Sequence, residues 1–271
     1  MIVSQEQQFI DEGFVVVTLN ISERQRSECL IAYERLIQKA EALGALGQVK
    51  TRKSDFATTA GSGWAWGCDH VYAPELREQM LLDIASSSPV PDLVYRILGA
   101  RVRFSGGHAH WSPQSYDYYL HWHRDTRRDR WPYGNPDCRS HVQVCVAITD
   151  ESVVHIVPRS HRRDIVDYEQ DFFDKTPHGK HPDEVCPKVA AGQALFLNTF
   201  TLHRAQCDYT YLRRSLHFGF TRIGSAPEPG RRGHAQPWLA EPNFMMRQTR
   251  FMQNCIAEEL HYQQHAVNLD P

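Results

Sequence analysis

The run His121-Trp122-His123-Arg124-Asp125 carries the side chains best suited to gripping a metal ion. On an extended strand alternate side chains share a face, so His123 and Asp125 point the same way and can bind one ion together. A second imidazole must then come from elsewhere in the chain. His203 follows the apolar run Ala194-Leu195-Phe196-Leu197, and a buried strand there is expected to deliver it. Two imidazoles and one carboxylate on one face of a metal leave the opposite positions open, the arrangement that suits non-heme Fe(II) holding a co-substrate and O2. His121 has the same parity as His123 and competes with it for the ligand role. One intervening residue places ligands at neighbouring coordination positions, which favours His123 and leaves His121 to pack or hydrogen-bond behind the site.

The elements that must position these residues are legible from local pattern. Phe14-Val15-Val16-Val17-Thr18-Leu19 is β-branched and bounded by Gly13 and Asn20, and it reads as a strand. Ser22 and Gln25 form a capping box ahead of a helix that runs to Gly44. The polar, Gly-containing stretch 47–68 reads as an exposed loop. Residues 74–86 predict a second helix, and Pro91 opens a third that stops at Gly99. Strand signals then dominate, over 101–105, 116–123, 141–148, 153–157, 194–200 and 214–221. A final helix is expected over 243–264. Helices followed by many short strands point to an α+β, mostly β protein whose strands close into a jelly roll. We expect one domain over 1–271, with a core at 11–222 and a helical extension at 223–271.

The order of these parts is more specific than the isolated His-x-Asp. Asp11-Glu12-Gly13-Phe14-Val15-Val16-Val17, Val157-Pro158-Arg159-Ser160-His161 and Gly192-Gln193-Ala194-Leu195-Phe196 resemble, in this order around His123, Asp125 and His203, the phytanoyl-CoA dioxygenase family of Fe(II)/2-oxoglutarate oxygenases. Trp122-His123-Arg124-Asp125 with Trp131 is similar to the ectoine hydroxylase branch. The resemblance covers residues 11–222 and implies a double-stranded β-helix (jelly-roll, cupin-like) core with flanking helices. It also implies Fe(II), 2-oxoglutarate as co-substrate, O2, and release of succinate and CO2 as a small molecule is hydroxylated. Arg213, aligned to the family's Arg-Arg-Ala-Leu, would take the distal carboxylate of 2-oxoglutarate, while Arg214, the neighbouring candidate, would point to the other face. A carboxylate at Asp125 fills the place a halide would need, which favours hydroxylation over chlorination.

Departures from the family pattern fall in loops. Arg159 stands where the family usually has Gly, and Thr126-Arg127-Arg128-Asp129-Arg130 replaces an acidic stretch, so ectoine is not the expected substrate. Residues 126–136 are expected to form a flap over the metal. Its Arg127, Arg128 and Arg130, with Arg162 and Arg163, suit an anionic substrate if they are more than solvated surface charge.

Composition excludes several classes. With 271 residues and a formal net charge of −2, the chain has no global bias toward nucleic acid or membrane surfaces. No apolar run approaches the length of a membrane span. The first residues lack a basic and apolar leader, and the 7 cysteines form no C-x-x-C pair, so a reducing cytoplasmic setting is expected. Two alternatives remain open: a jelly-roll binding protein without chemistry, and a hydrolytic zinc enzyme, which would need a carboxylate base rather than Arg213.

Overall fold

A computed structural model of the chain describes residues 3–45, 51–52, 66–112, 117–125, 139–176, 179–224 and 236–266. The expected flap at 126–136 lies outside these residues. Helix α1 (Gln5–Glu12) starts at Ser4, whose hydroxyl accepts the Gln7 N–H at 3.1 Å, and ends at Gly13 with φ 85°. A Cβ at Gly13 would sit 2.6 Å from both His161 Nδ1 and Thr201 Oγ1, so the turn into β1 (Phe14–Thr18) requires glycine. The sequence reading begins after α1, because only one of the helix's eight residues, Phe9, is buried and no apolar periodicity results.

The predicted capping box is present. Ser22 N–H donates to Gln25 Oε1 at 2.8 Å and Gln25 N–H to Ser22 Oγ at 3.2 Å, opening α2 (Glu23–Ala45). The expected helix at 74–86 contracts to α3 (Gln79–Asp83) and a 3-10 turn at Ile84–Ser86. Ahead of it Ala73 C=O takes the Leu76 and Arg77 N–H groups in a separate turn. Helix α4 (Val90–Leu98) has Pro91 in its first turn and stops at Gly99.

The described strands form two antiparallel sheets. The larger has the order β1-β8-β6-β10-β4-β3-β2, with β2 Thr51–Arg52, β3 Trp66–Asp69, β4 Val102–Trp111, β6 His141–Ala147, β8 Gln193–Asn198 and β10 Arg214–Arg222. The smaller has the order β5-β9-β7, with β5 Tyr118–His123, β7 Val154–Ile156 and β9 His203–Cys207. Side-chain alternation divides the large sheet into two faces. Val142, Val144, Phe196, Leu216, Phe218 and Phe220 pack under the helices, while Cys145, Ala147, Leu195 and Leu197 meet Val154 and Ile156. The helix-side face carries most of the apolar burial. At roughly 1.5–3 kcal/mol for each fully buried large apolar side chain, this layer dominates the stabilisation and leaves the facing interior free to hold polar groups. No described helix is long and apolar enough to cross a membrane.

Four further expectations are corrected. Trp66–Asp69, within the expected loop, pairs with β4 as a strand. The strand expected over 101–105 continues to Trp111, because Ser105 bulges between the pairs Gly219↔Gly106 and Phe220↔Phe104 and lets the ladder resume. The C-terminal helix is two, α6 (Pro242–Met246) and α7 (Arg250–Ala266), with Thr249 accepting the Met252 and Gln253 N–H groups between them. The last concerns His203. The strand after Gly192 ends at Asn198, whose side chain takes the Phe200 N–H at 3.0 Å in a local turn, and the chain crosses to the other sheet before His203 opens β9.

Candidate metal centre

The sheet crossing decides the site. His203 is the direct cross-strand partner of His123 in the β5–β9 ladder, with ring centroids 4.2 Å apart, and a register irregularity between Leu120 and His123 sets the end of β5. Asp125 follows two residues on, its Oδ1 3.5 Å from His123 Nε2 and 3.9 Å from His203 Nε2. One donor atom from each of these three residues lies within 4.8 Å of the others. His121 is not among them; its ring centroid stands 6.0 Å from that of His123.

The two imidazoles are oriented in the same way. His123 Nδ1 lies 2.8 Å from the His121 carbonyl oxygen, and His203 Nδ1 lies 2.9 Å from that of Thr201. A carbonyl only accepts, so each Nδ1 carries the proton and each ring turns its Nε2 toward Asp125. Burial, with the neighbouring His123, pushes the His203 pKa down to about 4, so this ring is neutral near pH 7. Two imidazoles and a carboxylate are a donor set that a divalent iron accepts.

The residues between and beside the ligands hold the small sheet from outside. Trp122 Nε1 donates to the Gly179 carbonyl at 2.8 Å, and Arg124 Nη2 donates to the Ser160 and Arg163 carbonyls at 2.8 and 3.0 Å. Arg204 binds Glu184 at 2.9 Å. Helix α5 (Asp167–Asp174) places the fully buried Glu169 on this side, where it takes both arms of Arg163 at 2.6 and 2.7 Å, the Val166 N–H and His181. Burial opposes ionisation of Glu169, but Arg163 and the other donors outweigh it and hold the carboxyl below the usual carboxylate range. A depressed folded-state pKa contributes stability that is full above the unfolded pKa and lost as pH falls through the folded one. Urea midpoints are therefore expected to fall steeply on acidification below the ordinary carboxylate range. Glu169→Gln should be less stable at neutral pH by about 3 kcal/mol, the lower end for a broken buried pair because Arg163 is partly exposed, and flatter with pH. Parallel pH profiles for the two proteins would refute this assignment.

The Pro-Arg-Ser-His turn is also secured from outside. Arg159 adopts the left-handed conformation at φ 65°, where a non-glycine residue costs about 1–2 kcal/mol. Its side chain pairs with Glu12 at 2.8 Å, but at 72% exposure an ion pair contributes about 0.2–1 kcal/mol and does not offset that cost alone. The Arg159 N–H bond to the Glu12 carbonyl at 2.9 Å and the His161 bond to the Ile10 carbonyl at 3.0 Å add to it. Arg162 and Arg163, candidates for substrate charge, pair with Asp11 and Glu169 instead.

The triad opens on a cleft between the sheets, which Arg213 also lines. Arg213 is 3% exposed and pairs with the buried Glu151 at 2.7 Å. Arg214 turns to the opposite face, donating to Glu34 of α2 at 2.6 Å and to the Arg213 carbonyl at 2.8 Å. The structure thus brings His123, Asp125, His203 and Arg213 to one cleft and leaves Arg214 outside it. Sequence reasoning passed over His108, His110, Gln143, Glu151 and His217. Of these, His108 and His110 share a strand face in the sequence itself, but the Gly106-Gly107 pair masked the strand.

No protein-family model matches the sequence, and no curated protein matches it. Solved structures do match. The chain resembles AviO1 from Streptomyces viridochromogenes Tue57 at 15% identity and a TM-score of 0.60, over 84% of this chain and 100% of that one. It resembles EctD from S. alaskensis, solved with 2-oxoglutarate and 5-hydroxyectoine, at 14% identity and 0.61, over 82% and 76%. SnoN, an epimerase solved with Fe3+, alpha ketoglutarate and nogalamycin RO, matches at 15% and 0.59, over 83% and 85%. Two facing antiparallel sheets, helices packed on the larger and a cleft between them give this chain a jelly-roll fold, the fold it shares with these solved structures.

Proposed function

We propose that this chain is an Fe(II)- and 2-oxoglutarate-dependent dioxygenase that hydroxylates a small-molecule substrate and releases succinate and CO2. One observation carries the reading: His123 and His203 face each other across a ladder, and backbone carbonyls fix both Nε2 atoms toward Asp125. This donor set fits iron, which would be held by His123, Asp125 and His203. When bound, the iron activates O2 at the expense of 2-oxoglutarate. The chain's own residues do the rest. Arg213 supplies a buried guanidinium to the distal carboxylate, and its five N–H donors allow it to hold that group beside Glu151. The cleft walls orient the substrate and keep bulk water from the metal.

Arg213 also bears on the zinc-hydrolase alternative, because hydrolysis needs no buried cation at that place. The test is anaerobic addition of Fe(II) and 2-oxoglutarate, which is expected to give a visible metal-to-ligand charge-transfer band that Asp125→Ala abolishes. Absence of the band in the intact chain overturns the reading. Aerobic screening for succinate against a metabolite panel then finds the substrate. Product mass separates hydroxylation, which adds one oxygen, from an epimerisation, which leaves mass unchanged.

A further inference from the structure

Three histidines face each other on the large-sheet wall of the same cleft. His108 and His110 alternate on β4, and His217 on β10 is the register partner of His108. Ring centroids are 5.0 Å apart for His108–His110, 5.0 Å for His108–His217 and 4.7 Å for His110–His217. One ring nitrogen from each lies within 4.8 Å of the others. An i, i+2 pair on one strand and a third residue on its neighbour form a triangle whose corners the sheet itself fixes. The backbone beneath is clamped by Tyr33, whose buried hydroxyl bonds to the His110 and Ser215 carbonyls at 2.8 and 2.9 Å.

The surroundings orient the rings. Cys145 Sγ lies 3.5 Å from His217 Nδ1, and Ser215 Oγ lies 3.2 Å from His217 Nε2 on the side of His110, so one contact orients the ring and the other gives way to the ion. Gln143 lies 3.3 Å from His108 Nε2, and Asp69 of β3 is the register partner of His108. Outer partners of this kind set ring orientation in metal sites. Farther along the same face Cys145, Leu195 and Leu197 are apolar, so three clustered imidazoles are not the wall's default chemistry.

We propose that His108, His110 and His217 form a second metal site, distinct from the triad, that takes one borderline divalent cation of the zinc type through three imidazole nitrogens. Three neutral ligands leave the ion's charge uncompensated and a fourth position open on the cleft side, where water or an oxygen donor of a bound molecule completes a tetrahedron. The site shares the cleft with the triad and Arg213 but draws its ligands from β4 and β10, so a chain without the triad tests it apart from the oxygenase reading.

The test uses the full-length, tag-free, chelator-treated chain carrying Asp125→Ala and His203→Ala, which removes the triad. Titration with Co2+ by visible absorption and with Zn2+ by calorimetry is expected to show one ion per chain, with the d–d bands of four-coordinate cobalt. Adding His217→Ala should remove that ion, and adding Gln143→Ala should weaken it about 10- to 100-fold. Circular dichroism checks folding; if His217→Ala does not fold, His110→Gln replaces it. X-ray absorption of the zinc-loaded triad-less chain should show three imidazoles. No ion in the folded triad-less chain, an ion that survives loss of His217 or His110, or fewer than three imidazoles would each overturn the proposal.

Discussion

Alanine at His123, Asp125 or His203 is expected to abolish Fe(II)-dependent turnover and the anaerobic charge-transfer band while the chain stays folded. Each change removes one of three donors, and a site left with two cannot hold its metal with an orientation that leaves the remaining positions open for co-substrate and O2. Folding should survive because the ligands line the cleft, away from the apolar layer beneath the helices that carries the core. His121→Ala is the informative control. His121 contributes to the site through its backbone carbonyl, which fixes His123 Nδ1 and which alanine retains. That variant should keep most of its iron affinity. Equal damage at His121 and His123 would overturn the choice between them, and turnover retained in any triad variant would remove that residue from the ligand set.

Arg213→Ala should raise the 2-oxoglutarate requirement by about 100-fold, whereas Arg214→Ala should change it by no more than about twofold. Charge-assisted hydrogen bonds contribute about 1.5–3 kcal/mol each, and every 1.4 kcal/mol is a factor of ten in affinity. The Arg213 guanidinium lines the cleft, while Arg214 is engaged by Glu34 across the sheet. Arg213→Ala also strands the buried Glu151 without its cation, so some loss of stability accompanies it. Arg213→Lys separates the two effects. It keeps the charge near Glu151 but loses the planar fork, and should fold well while still demanding more 2-oxoglutarate than the parent. The quantity to compare is the KM for 2-oxoglutarate at saturating iron in folded protein. If Arg214→Ala shows the larger rise, the co-substrate role moves to that residue. Equal, mild effects would place the anchor elsewhere.

The sequence alone determined what depends on a few neighbouring residues. The Ser22–Gln25 capping box, the stop at Gly99 and the opposite facing of Arg213 and Arg214 follow from caps and a period of two, and the structure contains all three. The His-x-Asp pair was legible for the same reason. Only the tertiary structure decided how His203 reaches the metal site. It arrives as the first residue of a strand in the other sheet, not at the end of the apolar run before it, because Asn198 turns the chain and β9 inserts between β5 and β7. The joining of His108, His110 and His217 was likewise hidden, since a bulge at Ser105 carries β4 past two glycines that read locally as an end. The same holds for Glu151 beneath Arg213, Glu12 beneath Arg159 and the burial that keeps His203 neutral. Register, sheet membership and desolvation are set by contacts between residues far apart in the chain, and those contacts exist only once the two sheets have closed on each other.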